Sequence, residues 1–218
     1  MPKITAPLLS FGASGQIAGA QVYSTWKGIP YVRQYVKPAN PRTTRQVSNR
    51  DVWKMLNAAY LYAPAPIKAA FDAYATGKPL TGRNKFFSDN MKLFAVDPKP
   101  EGIDGFIVSP GNGGGLPASG MAVVGGALKV TISVDLPEVP NGWTLAGAIG
   151  CAVKQQAPTA DFSAKWFVVS KAVDLDTVEI PGLEAATEYV VGYFLKWEKP
   201  DGTFAYSVSL SDTATTSA

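Results

Sequence analysis

The 218-residue chain contains no histidine and a single cysteine. Without histidine, the Ser-His-Asp and Cys-His nucleophile systems are excluded, together with the commonest general base and most zinc sites. One cysteine cannot close an intramolecular disulfide, so the framework that staples small secreted domains is missing. Cys151 stands in the apolar run "LAGAIGCAV", where it reads as a small buried hydrophobe rather than a nucleophile. No stretch approaches the run of about eighteen apolar residues that a membrane-spanning helix needs. The opening "MPKITAPLLSFGASG" lacks a long apolar core followed by a small-residue cleavage site. The expectation is a soluble protein made in a cytoplasm, with no membrane partner.

Glutamate is missing from the first hundred residues, which carry nine Lys and five Arg against four Asp. Residues 101–218 carry six Lys against thirteen acids. A net of +10 followed by a net of −7 suggests two modules with different neighbours.

What is present has a clear order along the chain. "AQVYSTW" and "PYVRQYV", rich in Val, Tyr and Trp, read as a β-hairpin over 20–36, with Gly28 in the "KGI" turn free to take positive φ. Tyr31, Arg33 and Tyr35 share one face of its second strand. The glycine-rich "SFGASGQIAGA" before it reads as a loop or an irregular edge. After "KPANPRTT", Thr43 is placed to N-cap a helix, with Gln46 completing a capping box, and the helix runs to about Tyr62. A second helix begins near Pro66 and stops at Gly77; a third covers about Arg83 to Phe94. From Met121 onward, alternation such as Leu128, Val130, Ile132 and Val134 marks six or seven short antiparallel strands, as in a β-sandwich. The expected fold is α+β. Residues 1–97 form a basic hairpin-plus-helices anchor domain, 98–118 a Gly/Pro-rich linker with one short strand near "GFIVS", and 119–218 the sandwich.

Two resemblances sharpen this. "IPGLEAATEYVVGYF" resembles the corner between the fifth and sixth strands of fibronectin type III domains. Leu183, Thr187, Tyr189 and Val191 fill the places of its pattern, and Ala185 stands where proline is usual. The resemblance implies an Ig/fibronectin III-like sandwich in which the Tyr189 hydroxyl bonds back to the corner's backbone. It extends over roughly the last hundred residues and implies no activity. Separately, Gly15, Gly19, Lys27, Gly28, Tyr31, Val32, Arg33, Asn40, Pro41, Thr43, Gln46 and Arg50 resemble the start of an uncharacterised family found in phage and prophage structural-gene regions. That resemblance implies a non-enzymatic structural role in a virion.

The remaining chemistry is thin. Asp174 and Asp176 flank Leu175 and would share one face of a strand, as glycosidase or calcium carboxylates can, but a solvated turn is the simpler reading. "GNGGG" is followed by neither the Lys-Ser/Thr of a phosphate loop nor a helix. No catalytic residue, cofactor or metal site is expected. Arg33, Lys37, Arg42, Arg45 and Arg50 are the candidate partner-binding residues. Interleaved with Trp26, Tyr31 and Tyr35 they could grip a single strand of nucleic acid. An acidic protein surface fits better, because the aromatics of so small a module are needed for packing. The expected partners are other virion proteins, the major capsid protein first among them, with the chain present in many copies. The expected station is the capsid exterior, as a decoration or cement protein. A tail or head–tail junction protein is the first alternative. A glycan-binding module using Trp143, Trp166 and Trp197 is the second.

Overall fold

A computed structural model describes residues 14–26, 29–37, 39–94, 102–112, 115–157 and 165–218. The chain divides into two compact units, Met1–Thr43 and Thr44–Ala218.

The first unit is a three-stranded antiparallel sheet in the order β1 (Gly15–Ile17), β2 (Gln21–Trp26), β3 (Ile29–Gln34). The expected hairpin is β2–β3, in which Val22 pairs with Arg33, Ser24 with Tyr31 and Trp26 with Ile29. Of the two readings of the glycine-rich stretch, loop or irregular edge, the edge holds: it supplies β1, with Gly15 opposite Tyr23 and Ile17 opposite Gln21. The turn glycine Gly28 lies outside the described residues.

The second unit starts with three helices, α1 (Thr44–Tyr62), α2 (Ala65–Ala75) and α3 (Gly82–Leu93). Pro66 sits in the first turn of α2, and the Thr81 hydroxyl caps α3 by accepting from the Asn84 amide at 3.2 Å. Eight strands follow. β4 (Ser119–Gly126), β5 (Lys129–Asp135) and β8 (Thr177–Pro181) form one sheet in that order. The other runs β10 (Phe204–Tyr206), β9 (Glu188–Glu198), β6 (Thr144–Lys154), β7 (Trp166–Lys171), and β11 (Leu210–Thr215) also pairs with β9. Beyond β11 the chain crosses to the first sheet, where Ser217 N–H donates to Gly126 O at 3.2 Å. That crossing needs Gly125, whose added Cβ would stand 1.8 Å from Thr215 O.

The fold class is α+β with an antiparallel sandwich, but the module boundary differs from expectation. The helices share their core with the sandwich, and the described part of residues 98–118 does not separate the two. Val52, Leu56, Ile67, Phe71 and Phe86 of the helices join Ile149, Cys151, Val153, Val190 and Phe194 of the five-stranded sheet in one apolar core. A second core, with Val130, Ile132, Val178, Tyr189, Val191 and Tyr193, fills the space between the sheets. The second unit is therefore three layers thick: helices, five-stranded sheet, three-stranded sheet.

The physical reason lies in β6 and β9, which are buried on both faces. A sheet half-open to water alternates apolar and polar residues, whereas "LAGAIGCAV" and "YVVGYFL" are continuous apolar runs. The described part of the expected linker is a packed strap, with Ile103, Phe106, Val108 and Ser109 buried. The buried Asn90 side chain grips both backbone polar groups of one residue. It accepts from Ile107 N–H at 2.7 Å and donates to Ile107 O at 3.0 Å. Ser109 Oγ donates to Ser207 O at 2.6 Å, and Val108 N–H donates to Ser209 Oγ at 3.2 Å. Gly192 makes room for the strap, since a Cβ there would meet Val108 Cγ2 at 2.7 Å.

Candidate functional site

The five basic candidates fall on both units. Arg33, on β3, and Lys37 and Arg42, beyond it, belong to the first; Arg45 and Arg50 lie on α1 in the second. All five side chains are exposed. Arg45 stands in the first turn of α1, which holds no acidic residue to offset it against the positive end of the helix dipole. Thr43 occupies the position immediately before α1, and Gln46 lies in that first turn.

Arg42 carries a further mark. Its φ is +50°, the left-handed region that residues with a Cβ enter at a cost of roughly 1 kcal/mol. Backbone strain of this kind persists only where surroundings hold it, and it clusters at binding and switch sites.

No group of three or more carboxylate or thiol side chains able to hold a metal occurs among the described residues. Asp174 and Asp176 do not share a strand face: they lie in the turn before β8, with Asp174 at φ +48° and Asp176 O accepting from Val134 N–H at 2.8 Å. Cys151 is fully buried, and burial pushes its thiol up to about 12, so it offers no thiolate at neutral pH. Half-buried Tyr74 is held below the usual tyrosine value by Lys85 and Lys78, but Lys85 is already engaged with Asp89 at 2.9 Å. Two open depressions, about 380 and 490 Å3, share Gln155 and Gln156, and their charged walls mix Lys154, Lys165 and Glu184 with Asp104 and Glu188.

The aromatics proposed as glycan platforms do not form one. Trp197 is fully buried, and its Nε1 donates to Leu116 O at 3.1 Å. Trp166 is buried, and its Nε1 donates to Ala59 O at 3.2 Å, tying β7 to α1. Only Trp143 is partly open, and it packs edge-on against Trp197 with Lys199 over its ring. On the hairpin, Tyr31 is half-buried and Tyr35 exposed; the Trp26 side chain lies outside what is described.

The tyrosine corner has the geometry expected of it. Tyr189 is fully buried in the inter-sheet core, and its hydroxyl accepts from Glu184 N–H at 2.9 Å. Leu183 is buried beside it and donates its N–H to Leu128 O at 3.0 Å. One latch could not be read from the pattern alone. Thr216 Oγ1 donates to Glu184 O at 2.6 Å and accepts from Thr187 N–H at 3.0 Å, so the segment that follows β11 closes the corner.

No family model matches this chain. Among solved structures, it is similar to the fibronectin type III domain of the human collagen alpha-1(XX) chain, at 22% identity over 50% of this chain and 92% of that one, with a TM-score of 0.35. It is also similar to a redesigned β-sandwich protein, at 18% identity over 47% of this chain and 90% of that one, with a TM-score of 0.33. A myokine structure matches at 15% identity over 48% of this chain and all of that one, with a TM-score of 0.36. None of these likenesses speaks to an activity.

Proposed function

We propose that the chain is a non-enzymatic structural protein of a tailed-phage virion that docks through its basic residues on an acidic protein surface. Its station on this reading is the capsid exterior, as a decoration or cement protein present in many copies. The observation that carries the reading is charge of one sign, placed where a partner can reach it. Residues 1–43 hold three Lys and two Arg and no acid, and Arg33, Lys37, Arg42, Arg45 and Arg50 are all exposed. Arginine suits this task because its planar fork pairs with carboxylates bidentately. The left-handed Arg42 backbone and the uncompensated Arg45 at a helix start are two small local costs at the same place. A bound acidic surface would offset the second.

The helix-backed β-sandwich supplies the projecting body. We take it to be of the fibronectin type III kind, on the strength of its strand order and corner. The first, second and fifth of its strands make one sheet and the remainder the other, with Tyr189 tied back to the Glu184 amide. Stepwise disassembly of purified particles tests the station. The protein should stay with the emptied capsid shell after tails are removed. Recovery with the tail fraction contradicts the capsid station, and recovery only outside particles contradicts the virion role.

A further inference from the structure

The β1–β3 sheet has no interior of its own. No described residue between 14 and 43 is buried, although Val22, Tyr23, Tyr31 and Val32 are of core type. The pairing puts Val22, Ile29, Tyr31 and Arg33 on one face and Ile17, Tyr23 and Val32 on the other. Ile29 and Ile17 are 41% and 42% exposed, and beyond the sheet Val36 is 68% exposed. Strands of three, six and six residues need a covered apolar face to be stable in water. What covers this one must tolerate a segment with five cations and no acid.

One end of the sandwich has the complementary character. Val134 N–H donates to Asp176 O, which brings the loop after β5 beside the loop before β8. The first loop exposes Leu136, Glu138 and Val139, and the second exposes Val173, Asp174 and Asp176. Val173 is 70% exposed. The β9–β10 turn at the same end adds exposed Glu198 and Asp201. Three lysines stand at the same end: Lys171 Nζ donates to Thr177 O at 2.7 Å, and Lys196 and Lys199 lie over the Phe204 and Trp143 rings. Among the described residues, no salt bridge involves these acids. The end therefore combines exposed valine and leucine with a net excess of acids, five against three lysines.

We infer that the β1–β3 sheet of one copy docks on this loop end of the sandwich of a second copy, so that chains associate head to tail. The inference rests on the docking role given to the basic unit above and names the acidic surface it meets. A heterologous contact of this kind closes into a ring or continues as an array. Its apolar part gives the contact strength, and its charges set register and exclude the reversed pairing.

Sedimentation velocity on the full chain tests it. Mass should grow with protein concentration at low salt and fall back as salt screens the exposed charges. The pair Arg33→Glu and Lys37→Glu, and separately the pair Glu138→Lys and Asp176→Lys, should each weaken self-association at least about tenfold. An equimolar mixture of the two double variants should associate again, because the reversed surfaces are complementary. All four positions are exposed, and an unchanged thermal transition of each variant shows that the sandwich is intact. A chain that stays monomeric at every concentration in low salt overturns the inference, as does self-association that both reversals leave unchanged. Loading onto particles is scored separately. A monomeric protein that still loads overturns head-to-tail docking alone, whereas a self-associating protein that never loads overturns the virion role alone.

Discussion

Tyr189 and Cys151 sit on neighbouring strands and are buried for different reasons, which makes them separable by substitution. The Tyr189 hydroxyl serves one backbone amide at the corner. Tyr189→Phe should cost about 1 kcal/mol, the usual net worth of such a bond, and leave the rest of the core filled. Chemical denaturation should show a lower midpoint at unchanged slope; an unchanged midpoint would mean the bond does not hold the corner. Cys151 has no partner to serve beyond a weak contact with Gly192 O at 3.4 Å. Its thiol is raised from 9.0 to about 12, so the unfolded chain gives up that proton first as pH rises. Stability from this group is therefore full below pH 9 and is lost progressively between pH 9 and about 12. Cys151→Ala should flatten that part of the stability curve relative to wild type. The thiol should also stay unreactive towards a disulfide reagent at pH 8 until the protein unfolds; rapid reaction with the native chain would contradict its burial.

At the scale of elements, the strap 102–112 decides how the helices and the sandwich hold together. Asn90→Ala would leave the N–H and C=O of Ile107 without their partner in a part-buried place, at a cost of about 2 kcal/mol. The strap of the wild-type protein should resist limited proteolysis, and that of the variant should be cut; early cleavage of the wild type within 102–112 would contradict the packing described. The three helices, the half-exposed β5 and the tyrosine corner were legible in the sequence, because each is written in local periodicity or turn chemistry. The third layer was legible too, but in a different signal. Continuous apolar residues in β6 and β9 meant that both faces were covered, and composition drew the eye to glycines in the linker instead. Two of those glycines, Gly111 and Gly115, lie against Val208 and Trp197, where close packing excludes a side chain. The strand β1 was legible only as one of two readings, loop or irregular edge, since glycine-rich sequence forms an edge when its partner supplies the side chains. Of the candidate site, charge and exposure were readable, but the left-handed Arg42 and the absence of any buried residue among those described around the hairpin arise only from backbone geometry.

For the whole molecule, the two cores of the second unit share one sheet, so the sandwich cannot be cut free without uncovering its helix-facing side. A chain restricted to residues 102–218 would expose Ile149, Val153, Val190 and Phe194 together. It should aggregate or bind a hydrophobic dye strongly; a soluble, cooperatively folded fragment would contradict the three-layer account. Charge divides the molecule differently from packing. The five exposed cations between 33 and 50 lie on both sides of the boundary at Thr43, and exposed acids gather at the loop end of the sandwich. Docking through those cations is the claim on which the proposed function depends. The direct measurement is occupancy on purified particles, by quantitative mass spectrometry, of the full chain carrying Arg42→Glu and Arg45→Glu. Occupancy should fall at least about tenfold, as expected when like charges are forced together across an interface, while the purified variant unfolds with the wild-type midpoint. Wild-type occupancy of that folded variant would contradict the account.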